Sequence, residues 1–273
     1  MKRILLLLTA VAICSSASAF TRHEIAIRSE AMDKNVPVIV LLPDGYASAD
    51  NLPAVYLLHG YGDNYKAWDA KGDAGALADR YGAIIVTPDG GVDSWYLDSP
   101  VDPTYRYETF VTRELIPYID KHYKTVADRS GRAIAGLSMG GHGALYLAIR
   151  HQDLFSAAGS MSGGVDIRPF PKNWGMSKRL GTIEECPENW ERNTVINMTD
   201  MLRPDSLNII FDCGIDDFFL GVNRALHEKL LKEGIPHDFY ERPGGHSWEY
   251  WRNAVQYQML FFSNAFKAAK KAE

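Results

Sequence analysis

The chain has 273 residues and a formal net charge of −5, with 46% hydrophobic and 23% charged residues. That length supports one large domain with a full core, and that composition excludes a disordered chain. The acid excess and the lack of a long basic cluster argue against a nucleic-acid partner, and the short KAAKK near the C-terminus reads as a solvated helix end.

Lys2 and Arg3 precede an apolar run over 4–13 that is too short to span a bilayer, and Ala17-Ser18-Ala19 fits a signal-peptidase site. Residues 1–19 are expected to be a signal peptide, with a mature chain that starts near Phe20 and forms one domain over 20–273. Such a protein is periplasmic or secreted. Cys14 follows Ile13, where a lipid-anchored protein needs a small residue, so a lipoprotein is not expected. No later segment is apolar over eighteen residues, so no membrane span is expected. Cleavage leaves Cys186 and Cys213. Cys213 reads as a buried thiol, and a bridge between the two is optional at this size.

Apolar alternation predicts strands over 23–29, an edge, and 36–43, its hairpin partner. Buried strands follow over 53–60, 82–90, 132–138, 155–163, 207–214 and 237–245, eight in all. Helical spacing marks 104–123, with a bend or break at Pro117, then 139–151, 222–234 and 247–269. The last of these carries an aromatic stripe (Trp248, Trp251, Tyr257, Phe261 and Phe262) that reads as core packing. Two antiparallel strands followed by strand–helix alternation predict a mostly parallel sheet with helices on both faces. Residues 164–205 break the pattern. They are either a partial cap over the sheet's C-terminal edge or an ordinary long connection.

Ligands bind at the carboxyl ends of strands in such a sheet, and the residues there carry chemistry. GLSMGG over 136–141 has the spacing of a strand-to-helix elbow that exposes a nucleophile, Ser138. A serine hydroxyl needs a base, and His246, after PGG on the loop that follows the last strand, is the candidate. The remaining histidines, His122, His142, His151, His227 and His237, fit less well. The base needs an acid to hold its tautomer, and either Asp216 or Asp217 can serve. The backbone N–H groups of Tyr61, in HGYG, and of Met139, at the helix start, are candidate donors for an oxyanion. His59 is then a structural hydrogen bonder. Trp95 and Tyr96, on a strand-end loop, are candidate substrate contacts, or else buried anchors of that loop. The chain order Ser, Asp, His is that of the α/β-hydrolase fold.

LLHGYGDNYKAW, RAIAGLSMGGHGAL, DCGIDDFF and RPGGHSW together resemble the esterase D family of α/β-hydrolases, from about residue 22 to the C-terminal helix. That family includes feruloyl and acetyl-xylan esterases, S-formylglutathione hydrolases and the mycobacterial mycolyltransferases. The resemblance implies Ser138 as nucleophile, His246 as base, Asp217 as the acid, and Tyr61 and Met139 as oxyanion donors. It implies no metal and no organic cofactor. An exported member is expected to be a serine carboxylic ester hydrolase releasing feruloyl or acetyl groups from plant polysaccharide. An S-formylglutathione hydrolase-like thioesterase, an acyltransferase on the same site and a non-catalytic binding relative are the alternatives. The expected partner is a small-molecule or polysaccharide-linked ester.

Overall fold

The structure, a computed structural model, describes residues 20–272, so the expected signal peptide over 1–19, with Cys14, lies outside the described residues. The strands are β1 (Thr21–Ser29), β2 (Lys34–Leu42), β3 (Ala54–Leu58), β4 (Ile84–Pro88), β5 (Arg132–Leu137), β6 (Ala157–Met161), β7 (Asn208–Gly214) and β8 (Asp238–Arg242). They form one sheet of eight strands in the order β1-β2-β4-β3-β5-β6-β7-β8. As the alternation predicts, β1 and β2 form an antiparallel hairpin at the edge. β2 then pairs antiparallel with β4, and every later pair is parallel.

The helices are α1 (Ala67–Gly72), α2 (Ala74–Tyr81), α3 (Tyr107–Thr109), α4 (Ile116–His122), α5 (Met139–Arg150), α6 (Met176–Leu180), α7 (Pro187–Arg192), α8 (Leu220–Lys232) and α9 (Trp248–Ala272). Period-two side chains give the sheet two apolar faces. Tyr56, Leu58, Val86, Ile134 and Phe211 face α5 and α8, and Val55, Leu57, Ile85, Ala135 and Ile210 face α2 and α9. A wider turn over Phe110–Leu115 joins α3 to α4 just before Pro117. Proline lacks an N–H and its ring crowds the carbonyl four residues earlier, so the helix loosens there without ending.

Residues 164–205 hold α6 and α7, and their Val165, Ile167, Met176, Leu180, Trp190 and Val195 are buried in the main core. The segment is therefore packed into the domain. Phe170 and Trp174, both part-exposed, reach toward the loop after β7. In α9, Trp251 and Phe262 are buried as expected, but Tyr257 turns outward under the Arg242 guanidinium, 4.0 Å from its ring. Cys186 and Cys213 are both free thiols. No helix among the described residues is long and apolar enough to cross a membrane.

Candidate active site

The chain runs from β3 out to β4, then returns to β5 on the other side of β3. Two neighbouring strands whose connections leave in opposite directions open a crevice at their carboxyl ends. The loop after β3 carries Tyr61, and the turn after β5 carries Ser138.

Ser138 sits at φ 55° and ψ −118°, a left-handed conformation that side chains rarely adopt. The glycines explain how the turn tolerates it. A Cβ on Gly136 would lie 2.3 Å from the carbonyl oxygen of Gly140, and one on Gly140 would lie 2.4 Å from that of Leu58. The turn thus closes against its own helix and against β3. The Ser138 N–H is held by the Met161 carbonyl at 2.9 Å, which fixes the apex to β6.

Two loops bring the partners of Ser138 together. The N–H of Asp216 donates to the Gly244 carbonyl at 3.0 Å, and that of Ile215 to the Arg242 carbonyl at 2.9 Å. A Cβ on Gly214 would meet the Gly244 carbonyl oxygen at 2.2 Å, so the loops after β7 and β8 touch backbone to backbone. Asp217 is delivered inward with its side chain wholly buried, while Asp216 stays exposed. Asp217 Oδ2 accepts from His246 Nδ1 at 2.8 Å, and His246 Nε2 stands 2.9 Å from Ser138 Oγ. A carboxylate can only accept, so Nδ1 carries the proton and Nε2 accepts from the serine hydroxyl. The second carboxylate oxygen accepts the Phe219 N–H at 2.9 Å, which locks the rotamer. Of the two adjacent aspartates, Asp217 is the one that meets His246.

The N–H groups of Tyr61 and Met139 are engaged by no acceptor among the described residues. Met139 begins α5, where free N–H groups and the helix dipole favour negative charge. His59 is buried and structural. Its Nδ1 donates to the Gly60 carbonyl at 2.8 Å, and its Nε2 accepts the Gly90 N–H at 2.8 Å. Burial holds its pKa below the ordinary histidine value. It therefore stays a neutral strut between the loops after β3 and β4.

Trp95 and Tyr96 correct an expectation. They are 1% and 0% exposed and so line no accessible surface. Consecutive φ values of 53° and 58° turn both rings inward. Tyr96 donates its hydroxyl to the His59 carbonyl at 3.2 Å, and Trp95 packs edge-on against His142 with centroids 5.3 Å apart. They anchor the loop. His142 faces the carbonyls of Trp95 and Asn193 at 3.1 and 2.9 Å, pinning that loop to the segment after β6, and burial pushes its pKa down to about 4.

Phe218 and Trp174, beside the site, were not foreseen. Phe218 is 51% exposed, and its ring centroid is 4.3 Å from that of His246. Trp174 stacks on Phe218 at 5.5 Å and 21°. Trp251 approaches the imidazole edge-on at 4.9 Å. Tyr61 and Ile215, on the loops after β3 and β7, are exposed as well.

Residues 29–262 match the family model Esterase. The chain belongs to this esterase family. An esterase of Mycobacterium tuberculosis is 34% identical over 250 residues, covering 80% of this chain and 54% of that protein. The chain thus spans about half the length of that relative. An acetyl esterase of Caldicellulosiruptor saccharolyticus is 27% identical over 268 residues, covering 91% of this chain and 97% of that one. A solved ferulic acid esterase superposes with a TM-score of 0.80 at 31% identity, covering 91% of this chain and 99% of that one. The α/β-hydrolase fold and the esterase D resemblance both hold for this family member.

Proposed function

We propose that this chain is an exported serine carboxylic ester hydrolase that works through Ser138, His246 and Asp217. The observation that carries the reading is the unbroken hydrogen-bond line from Asp217 through His246 to Ser138, with links of 2.8 and 2.9 Å. Ser138 Oγ attacks the ester carbonyl carbon as its proton passes to His246 Nε2, and Asp217 stabilises the imidazolium. The N–H groups of Tyr61 and Met139 donate to the oxyanion. Collapse breaks the bond to the alcohol oxygen, and the alcohol leaves with the proton from His246. Water then gives a proton to His246 and attacks the acyl carbon, and the acyl–Oγ bond breaks as His246 returns that proton to Ser138 Oγ, freeing the acid and the enzyme.

Feruloyl and acetyl groups on plant polysaccharide are the substrates this reading favours. Likeness to a ferulic acid esterase and to an acetyl esterase supports them, as does the leader over 1–19. The open rim, with Tyr61 43% and Phe218 51% exposed, favours water over a dry acceptor pocket and so hydrolysis over acyl transfer. A fluorophosphonate probe should label Ser138, as mass spectrometry would read, and Ser138→Ala should abolish both labelling and turnover. Methyl ferulate and acetylated xylan should be hydrolysed faster than S-formylglutathione, with little transfer to an added alcohol. Exported protein should begin near Phe20. An active Ser138→Ala variant would overturn the mechanism, and a preference for S-formylglutathione would overturn the substrate class.

A further inference from the structure

We propose that Phe218, backed by Trp174, is a shelf for a ring carried by the alcohol part of the ester. The inference rests on the esterase reading above and adds a specificity-determining residue to it.

Phe218 and Phe219 are neighbours with opposite fates. Phe219 is 1% exposed and packs under Phe170 and Trp174, with centroids 5.1 Å away in each case. Phe218 leaves the same turn and stays half in solvent. Trp174 is held behind it at φ 49°, with its carbonyl accepting the Trp95 indole N–H at 3.3 Å. Trp174, 21° from parallel with Phe218, and the His246 imidazole, 36° from parallel and 4.3 Å away, thus brace the Phe218 ring, while half of the residue stays open to solvent.

Topology assigns the side. Tyr61 follows β3, on one side of β5, whereas Asp217 and His246 follow β7 and β8, on the other. The ester carbonyl oxygen points toward Tyr61 and Met139. The alcohol oxygen must take its proton from His246 Nε2, so the group attached to it lies on the His246 side. Phe218 is the exposed ring there, 4.3 Å from the imidazole. A sugar or aryl ring packed against the exposed part of Phe218 gains contact of the kind seen between aromatic pairs.

The test compares wild type with Phe218→Ala and Phe218→Leu on four esters. Methyl acetate, benzyl acetate and O-acetylated xylobiose share the acyl group and differ in the alcohol. Methyl ferulate shares methanol and differs in the acyl group. Phe218→Ala should lower kcat/KM for benzyl acetate, acetylated xylobiose or both by about tenfold more than for methyl acetate, the size of one aromatic stack. Phe218→Leu, which keeps apolar bulk without a ring, should show the same preference in smaller degree. Methyl ferulate should track methyl acetate. A loss confined to methyl ferulate would make the shelf an acyl subsite and overturn the proposal. An equal loss on all four would reduce Phe218 to a positioning residue for His246, and no loss on any would remove it from recognition. If wild type hydrolyses none of the four, the esterase reading itself falls, an outcome distinct from the other three.

Discussion

Asp212 lies in β7 with no solvent exposure, five residues before the aspartate that meets His246. Its Oδ1 accepts the Tyr250 hydroxyl at 2.9 Å and its Oδ2 accepts Gln258 Nε2 at 2.9 Å, with the Arg242 guanidinium 3.7 Å away. Burial outweighs these partners and pushes the carboxyl up to about 6 from an ordinary 3.8. A folded value above the unfolded one means stability that is fully present below the unfolded pKa and lost as pH rises through the folded pKa. At about 1.4 kcal/mol per pH unit, the loss comes to about 3 kcal/mol. Asp212→Asn keeps the shape and cannot ionise. Its amide oxygen can accept from Gln258 while its NH2 donates to the Tyr250 oxygen. Urea unfolding of both proteins should therefore show the variant gaining on wild type by about 2 kcal/mol between roughly pH 4.5 and pH 7.5. Taking the difference between the two proteins cancels every other titrating group. A difference that stays constant over that range, or one that moves against the variant, would refute the reasoning.

Asp217→Asn should lower kcat/KM on an aryl ester by at least about 100-fold, since the amide favours the wrong imidazole tautomer. Asp216→Asn, at an exposed turn position, should cost less than about tenfold, and the reverse order would reassign the acid. Gly140→Ala places a Cβ 2.4 Å from the Leu58 carbonyl oxygen and 2.6 Å from that of His59, so the end of β3 that leads into the Tyr61 loop must move. Both activity and stability should fall, the latter by about 1–3 kcal/mol in urea unfolding. Gly221→Ala, with no atom within 4 Å of its new Cβ, should instead raise stability by up to about 1 kcal/mol through helix propensity.

What could be read in the sequence is what depends on local backbone demands. GLSMGG needs its glycines because Gly136 and Gly140 touch backbone within the turn and on β3, and such contact admits no other residue. PGGH needs glycine for a different reason, since Gly244 takes φ 121°, while its carbonyl oxygen would stand 2.2 Å from a Cβ on Gly214. The edge strand β1 was legible because alternate residues toward its end are wet, whereas β2 is buried on both faces from Val38 onward. Side-chain direction in irregular backbone carries no such mark. Nothing in SWYLD announces that two successive residues take positive φ, so Trp95 and Tyr96 could be placed on the right loop but not on the right side of it. Trp174 stands likewise in a segment without period, and in IDDFF the buried and exposed phenylalanines look alike.

The C-terminal helix shows the same limit from the polar side. An aromatic stripe pointed to Tyr257 as core, yet Tyr257 is six residues from Trp251 and falls off the face that 251, 254, 255, 258, 259 and 262 share. The inward position is Gln258, wholly buried, donating to the Ser160 carbonyl at 3.0 Å and to Asp212. A glutamine there defeats a hydrophobicity pattern because its reason lies on another element: a carboxylate sealed beneath the sheet needs donors, and α9 supplies them through Tyr250 and Gln258. Tyr250 and Trp251 follow His246 within five residues, and Tyr250 also packs 3.1 Å from where a Cβ on Gly244 would stand. The bond from Asp212 to Tyr250 thus ties the start of α9 to β7 on the strand side of the His246 loop. That tie is why a buried charge which costs stability at neutral pH is compatible with a well-placed histidine.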